Sequence, residues 1–169
     1  WEEEHSKHLT GEGLGSFARL YGNGLKGFKV TKGRDIESGN ASLNTDKIKG
    51  HDWLLTTYET LRDYQASFGQ IRFSCIVFDE IQKAKNPRGL IYNGAKGLNR
   101  DFALGLTGTP VENSLSDLWT IMDVISPGRL GDLKTFMSSY PEPRSENAQE
   151  ALGNLKQLSV QLLEPSANG

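Results

Sequence analysis

Two stretches of the sequence decide the fold: residues 75–80, CIVFDE, and residues 104–113, LGLTGTPVEN. Each is an apolar run that ends in polar groups, the first in two adjacent carboxylates and the second in a Gly/Thr/Pro turn. Apolar runs of this kind are typical of strands buried in a parallel sheet. Because such sheets bind ligands at the carboxyl ends of their strands, we expect both polar ends to lie at a functional edge.

The carboxylate pair Asp79 and Glu80 suits magnesium chemistry. One carboxylate can hold the ion while the other orients or deprotonates a nucleophilic water. The same pair could instead place negative charge near the amino end of the following helix. The pair alone leaves both interpretations open and favours the second.

The turn Thr107-Gly108-Thr109-Pro110 supplies two hydroxyl groups and a glycine at the end of the later run. These groups can contact a phosphate or hydrogen-bond to a neighbouring carboxylate, although the same residues also form ordinary turns. Because one helix-sized segment separates the two stretches, the carboxylates and the hydroxyls are predicted on neighbouring strand ends. Together they favour a nucleotide site.

Strand-like and helix-like segments alternate along the chain. The strand candidates are residues 52–57, 73–78 and 102–106, and helical spacing of apolar residues follows at 59–66, 89–98 and 115–125. This alternation predicts the α/β class, with a parallel sheet and flanking helices. The β-branched and aromatic content of residues 73–78 further predicts a strand buried on both faces.

Less distinct patterns predict the remaining elements. We expect helices at residues 1–9, 15–21, 133–140 and 148–163, a short strand at 27–31 and a polar surface loop at 35–47. A basic cluster of Lys26, Lys29, Lys32 and Arg34 surrounds the predicted short strand. It is interpreted as a solvated face, with contact to a phosphate backbone as the alternative.

Composition bounds the possible functions. The 169 residues fit one domain, and the formal net charge of -2 does not identify a nucleic-acid partner. The single Cys75 excludes an internal disulfide and a cysteine-rich zinc site. No apolar run approaches the roughly 18 residues of a membrane span, so no membrane partner is expected. The three histidines show no spacing typical of metal ligands.

Four motifs carry a resemblance to a known family. Asp79-Glu80-Ile81-Gln82, with the KAKNP that follows, resembles the magnesium motif (motif II) of the Swi/Snf family of DNA-stimulated ATPases, in helicase superfamily two. Residues 106–119, LTGTPVENSLSDLW, resemble motif III and its adjoining helix. Residues 56–59 are similar to the family's TTYE segment, and Trp1, Glu2 and Glu4 to the helix after motif Ia. The match runs from Trp1 to about Tyr140.

The resemblance implies a RecA-like lobe of the P-loop NTPase type that uses ATP and Mg²⁺. It implies that Asp79 holds the metal and that Glu80 activates the attacking water, so both contribute to cofactor binding. Gln82 stands where the family more often has His and would link the ATP state to motif III. The motif III residues that would share this linkage are Thr107, Gly108 and Thr109. The implied partners are double-stranded DNA and a second RecA-like lobe.

Thr57 in the TTYE segment is a candidate contact to the DNA backbone, although a role in the turn at the strand end is an equal alternative. The Gln in motif II favours a bacterial protein, located in the cytoplasm or nucleoid. A eukaryotic protein of this kind would be nuclear.

No phosphate-binding G-x-x-x-x-G-K-[ST] loop occurs in the sequence, and the Gly-rich residues 22–27 have their lysine at the wrong place. The family has that loop upstream of motif Ia, and the sequence opens at Trp1 without an initiator Met or a helix cap. We therefore expect residues 1–169 to be the distal part of lobe one, without the Walker A segment and lobe two.

The chain alone is expected not to hydrolyse ATP. Its motif III strand is expected to have an open edge, through which the chain associates with itself or at which it adapts locally. The alternative is a degenerate, non-catalytic RecA-like module that binds nucleic acid or protein.

Overall fold

The computed structural model describes residues 1–8, 13, 15–108 and 114–140, and it has the predicted α/β class. The strands are β1 (Phe17–Leu20), β2 (Trp53–Thr56), β3 (Arg72–Phe78) and β4 (Asn99–Gly105). The helices are α1 (Glu2–His8), α2 (Gly22–Leu25), α3 (Asp35–Ser38), α4 (Thr45–Lys49), α5 (Tyr58–Asp63), α6 (Gln65–Phe68), α7 (Leu90–Lys96), α8 (Leu115–Ile125) and α9 (Leu133–Ser139). Short 3-10 helices form at Lys26–Phe28 and Ile81–Ala84.

The described strands form two parallel ladders rather than one sheet. β1 pairs with β2, from Phe17 opposite Trp53 to Leu20 opposite Thr56. β3 pairs with β4, from Arg72 opposite Asn99 to Phe78 opposite Gly105. The parallel direction predicted from the alternation is confirmed, and it brings the carboxyl ends of β3 and β4 to the same edge.

The β3–β4 ladder is buried on one face. Phe78 and Ala103 are buried, whereas Val77, Phe102 and Leu104 are 47%, 59% and 43% exposed. The prediction that residues 73–78 form a strand buried on both faces is therefore wrong for the described part of the chain. The physical reason is that α8 packs against β4 from the buried side, while the described elements leave the other apolar face uncovered.

The amino-terminal half contains three wrong predictions. Residues 17–20 form β1 and not a helix, because Ala18 and Leu20 are buried at the two-residue spacing of a strand. The Phe17 ring also stacks on Trp53 of β2, with centroids 4.1 Å apart. The strand expected at 27–31 is replaced by the 3-10 helix, whose Phe28 is buried. The loop expected at 35–47 contains the short helices α3 and α4.

Apart from the helix expected at 15–21, the helices predicted within the described residues are confirmed. The patterns at 1–9, 59–66, 89–98, 115–125 and 133–140 correspond to α1, α5 with α6, α7, α8 and α9. The helix predicted at 148–163 lies outside the described residues. None of the helices in the described ranges is both long and apolar enough to cross a membrane.

A buried carboxylate organises the segment that the sequence presented as a loop. Asp35 is 1% exposed and accepts hydrogen bonds from the Ser42 amide at 2.8 Å and the Ser67 amide at 2.6 Å. The Ser42 hydroxyl donates to the same carboxylate at 2.5 Å. Because each of these groups is buried, Asp35 fixes α3 and the strand-like segment after it against α6.

Arg100 holds two helix ends to β4. Its guanidinium donates to the carbonyl oxygens of Ala95 and Leu98, each at 3.0 Å, and to that of Val124. Burial lowers the pKa of this guanidinium. The last carbonyl groups of a helix have no hydrogen-bond donor inside the helix. The Arg100 guanidinium therefore supplies donors to carbonyl groups at the ends of both α7 and α8.

Gly105 allows α8 to approach the end of β4. A Cβ atom at this position would lie 2.7 Å from Cδ1 of Ile125 and 2.9 Å from Cδ1 of Ile81. Both distances are shorter than packed carbon atoms tolerate. The glycine therefore lets α8 and the segment after β3 close over the strand end that carries the candidate site.

Candidate active site at the carboxyl ends of β3 and β4

The main chain turns sharply at the two carboxylates. β3 ends at Phe78, and Asp79 and Glu80 follow with exposed side chains. Glu80 has φ 52° and ψ 50°, and among the described residues it is the only one other than glycine with a positive φ. A non-glycine residue in this region costs of order 1–3 kcal/mol and persists only where its surroundings impose it.

Hydrogen bonds to the β4 side impose that turn. The Leu106 amide donates to the Phe78 carbonyl at 2.8 Å, and the Ile81 amide donates to the Leu106 carbonyl at 3.0 Å. The chain thus leaves the ladder for two residues and returns to it. Ile81 is 1% exposed, so its burial secures the turn from the other side.

The amide of Gln82 bridges Glu80 and Thr107. Its Nε2 donates to the Oε2 atom of Glu80. The Thr107 hydroxyl donates to the Oε1 atom of Gln82 at 2.6 Å. A carboxylate can only accept, so this assignment of the amide nitrogen and oxygen is the one that satisfies both contacts. A continuous polar connection therefore runs from the motif II carboxylate to the end of the neighbouring strand.

The remaining motif III residues are described in part. Gly108 is exposed and follows Thr107 directly. Thr109 lies outside the described residues. The structure thus brings Glu80, Gln82 and Thr107 together, and it places Gly108 next to them in the chain.

Asp79 makes two contacts to elements other than its own ladder. Its Oδ2 atom accepts a hydrogen bond from the Trp1 indole Nε1 at 2.9 Å. Its backbone carbonyl accepts one from the Tyr58 hydroxyl at 2.9 Å. Burial, followed by the negative charges of Asp79 and Glu80, raises the pKa of the Tyr58 phenol. The phenol therefore stays protonated and available as a donor.

The donor set fits a magnesium ion that takes most of its ligands from elsewhere. In the described part of the chain, no group of three or more His, Cys, Asp or Glu side chains could enclose a metal. Mg²⁺ in nucleotide sites is held by one or two carboxylates, with phosphate oxygens and water completing its six ligands. The exposed Asp79, beside Glu80, matches that requirement.

Thr57 lies at the amino end of α5, where its hydroxyl caps the helix. Its Oγ1 atom accepts from the Thr60 amide at 3.2 Å and donates to the Thr60 hydroxyl at 3.2 Å. The turn role that sequence reasoning gave as an alternative is therefore present in the structure. A role in DNA contact stays a prediction.

Two of the four residues of the basic cluster, Arg34 and Lys29, have internal partners. Arg34 pairs with Glu37 and with Asp63, whose carboxylates raise the pKa of its guanidinium. Lys29 donates to the Gly33 carbonyl at 3.3 Å. These contacts favour the solvated, structural interpretation of the cluster.

Sequence reasoning missed the contacts of Tyr58 and Trp1 to Asp79. Both residues stood in segments chosen for their likeness to family motifs, but no local pattern predicts a contact between residues 58 and 79. A polar aromatic residue at the start of a helix that follows a strand was the only available signal.

Comparisons with known proteins identify the family to which the chain is similar. The family model described as the SNF2-related domain matches residues 1–165. The Zorya protein ZorD of Escherichia coli is 36% identical over 171 residues, which cover 98% of this chain and 16% of that protein. The mouse DNA excision repair protein ERCC-6-like 2 is 33% identical over 133 residues, covering 79% of this chain and 8% of that protein.

Among solved structures, the Sulfolobus solfataricus SWI2/SNF2 ATPase core in complex with dsDNA has a TM-score of 0.66 and 31% identity. The match covers 95% of this chain and 30% of that one. The chain thus spans less than a third of each relative named here. The resemblance drawn from the motifs is confirmed: the chain belongs to the SNF2-related domain family.

Proposed function

We propose that this chain is the distal part of the first RecA-like lobe of an ATP-dependent double-stranded DNA translocase or remodeller. The observation that carries the proposal is the connection from Glu80 through Gln82 to Thr107, which joins the end of β3 to the end of β4. The proposal is also supported by the small fraction of each relative that the chain covers, 16% of ZorD and 30% of the Sulfolobus chain.

In the proposed reaction, ATP is hydrolysed with Mg²⁺, which when bound neutralises charge on the phosphate oxygens. Asp79 would hold the metal, directly or through a water. Glu80 would orient the attacking water and accept its proton. The hydrogen bond from Gln82 to the Glu80 carboxylate supports this role, because phosphoryl transfer depends on a positioned base.

Thr107 would respond to the state of the site through the same amide. Because its hydroxyl donates to Gln82, a change at Glu80 would alter the contact at the start of motif III. Gly108 and Thr109 would carry that change into the following segment. In the longer protein, movement of this segment would be coupled to a second RecA-like lobe and to double-stranded DNA, with Thr57 as a candidate backbone contact.

The open edge of β4 supports a further proposal about partners. In the described part of the chain, β4 pairs only with β3, and Phe102 and Leu104 are exposed beside that edge. An exposed edge strand with apolar neighbours pairs readily with another chain. We propose that the isolated chain associates with itself there.

The proposed function also implies a cellular location where the protein meets DNA. This would be the cytoplasm or nucleoid of a bacterium, or the nucleus of a eukaryote.

The test is ATP hydrolysis by the longer protein that carries this chain, measured with and without double-stranded DNA. Glu80→Gln should reduce the DNA-stimulated rate at least a hundredfold, because it removes the base while keeping the side-chain size. Asp101→Asn is the matched control, since Asp101 pairs with Arg72 at the opposite end of the ladder. A wild-type protein that binds DNA but never hydrolyses ATP would favour the non-catalytic module.

A further inference from the structure

Tyr58 connects two parts of the molecule that no pairing between the described strands joins. It is the first residue of α5 and follows β2, which pairs with β1. Its hydroxyl donates to the backbone carbonyl of Asp79, at the end of the separate β3–β4 ladder. The two residues are 21 positions apart in the chain.

The carbonyl that Tyr58 contacts lies at the most constrained point of the site. Asp79 is followed by the left-handed Glu80, and the hydrogen bonds that hold this turn to the β4 side come from the Leu106 and Ile81 amides. Tyr58 holds the same turn from the β2 side. The direction of the main chain at Asp79 therefore depends on both sides, while the Trp1 indole holds the carboxylate itself.

The contact is suited to transmit a small displacement. A tyrosine side chain has two rotatable bonds, and this one is half-buried. It also follows Thr57, whose hydroxyl is fixed by Thr60. A shift of the Thr57–Tyr58 segment would consequently move the phenol as a unit, and with it the Asp79 carbonyl. The Nζ atom of Lys83 lies over the Tyr58 ring, 6.0 Å from its centroid.

We propose that Tyr58 is a positioning residue that couples the TTYE segment to the metal-holding carboxylate by fixing the main chain of Asp79. The inference rests on the proposed function, because it assigns the segment as the part that senses DNA. In this proposal, DNA that binds near Thr57 sets the orientation of Asp79 through Tyr58, from the β2 side. This path is independent of the Gln82 connection on the β4 side.

The experiment compares Tyr58→Phe with wild type in the longer protein. Phe keeps the ring and removes only the donor. The Mg²⁺ concentration that gives half-maximal ATP hydrolysis should rise about three- to tenfold, the range expected for losing one hydrogen bond, and the ratio of DNA-stimulated to unstimulated rate should fall by a similar factor. Tyr64→Phe is the matched control, since its hydroxyl reaches the Gly33 carbonyl at 3.5 Å, away from the site.

Amide hydrogen exchange provides a readout that does not depend on activity. In Tyr58→Phe the amides of residues 80–83 should exchange faster than in wild type and in Tyr64→Phe, whereas those of β1 and β2 should not change. Unchanged exchange at residues 80–83 would overturn the proposal. Faster exchange with an unchanged Mg²⁺ requirement and unchanged DNA stimulation would also overturn it, because the contact would then be structural only.

The same variants distinguish a failure of the Tyr58 role from a failure of the proposed ATPase function. If wild type and Asp101→Asn hydrolyse ATP with DNA stimulation, Glu80→Gln does not, and Tyr58→Phe behaves as wild type, the inference about Tyr58 is wrong and the proposed function stands. If wild type shows no Mg²⁺-dependent hydrolysis at all, the proposed function is wrong, and the coupling role of Tyr58 falls with it.

Discussion

The Gln82 amide offers the most quantitative prediction, because it is the single group between Glu80 and Thr107. Gln82→Leu removes both contacts while keeping a side chain of similar size. A neutral hydrogen bond contributes about 0.5–1.5 kcal/mol net, and one to a charged group about 1.5–3 kcal/mol. Glu80 is exposed, which reduces the second contribution. We therefore expect a loss of about 1.4–2.8 kcal/mol in transition-state stabilisation, a ten- to hundredfold fall in kcat/KM for ATP.

The contact between Gln82 and Thr107 can be isolated with a double-mutant cycle. Thr107→Val removes the hydroxyl and keeps the branched shape. If the 2.6 Å hydrogen bond couples the two residues, the effects of Gln82→Leu and Thr107→Val should fall short of additivity by about 0.5–1.5 kcal/mol. The assay is the steady-state rate of DNA-stimulated ATP hydrolysis by the longer protein across ATP concentrations.

Two results would refute this reasoning. One is additivity within about 0.3 kcal/mol, which is the behaviour of independent sites. The other is a Gln82→Leu protein with wild-type kcat/KM. Gln82→His is the informative companion variant, because the family more often has His there, and it should retain activity within about threefold if a donor toward Glu80 is what matters.

Three further predictions concern the described framework and its edge. Asp35→Ala should lower the free energy of unfolding by about 3–5 kcal/mol in urea titrations, because it leaves buried donors of Ser42 and Ser67 without an acceptor. The control is Asp46→Ala, since the Asp46 side chain is 94% exposed. It should change the free energy of unfolding by less than about 0.5 kcal/mol. Burial opposes ionisation of Asp123, but hydrogen bonds from the Gly128 amide, Lys96 and Tyr92 outweigh it and lower the pKa. The ionised Asp123 therefore contributes its full stabilisation above the ordinary pKa of 3.8, and this stabilisation is lost as the pH falls through the lower pKa of the folded state. Asp123→Asn should consequently flatten the pH dependence of the free energy of unfolding below about pH 4. Sedimentation velocity of the isolated chain should show association that grows with concentration, and a strict monomer at high concentration would argue against pairing through the β4 edge.

The parts of the fold that the sequence made predictable are those with a strong local pattern. β2, β3, β4 and α8 were each predicted because an apolar run or a helical spacing continues over enough residues to decide the element type. β1 was missed because four residues are too few to separate a two-residue from a three- to four-residue period. Its identity depends on pairing with β2, which is a tertiary contact.

The loop prediction for residues 35–47 was wrong for a different reason. Its polar composition indicated a surface loop, yet Asp35 and Ser42 are among the fully buried residues. Polar residues are buried when their hydrogen bonds are satisfied by distant amides, and Ser67 supplies one of these from 32 positions away. No pattern within the segment shows that partner.

The location of the candidate site was predictable from the parallel direction of the strands. Carboxyl ends of parallel neighbours meet at one edge, so Glu80 and Thr107 were expected to be close, and the Gln82 bridge between them is consistent with the role that the family resemblance implied. The Tyr58 contact was not predictable, because it depends on how the two separate ladders pack against each other.

The most direct test of the central claim compares the isolated chain with the longer protein in one ATP hydrolysis assay, with Mg²⁺ and double-stranded DNA, each as wild type and as Glu80→Gln. If Asp79 and Glu80 form half of a nucleotide site, the isolated chain stays at background in both forms, and the longer protein hydrolyses ATP only with Glu80 intact. A DNA-stimulated rate from the isolated chain that survives Glu80→Gln would contradict the account.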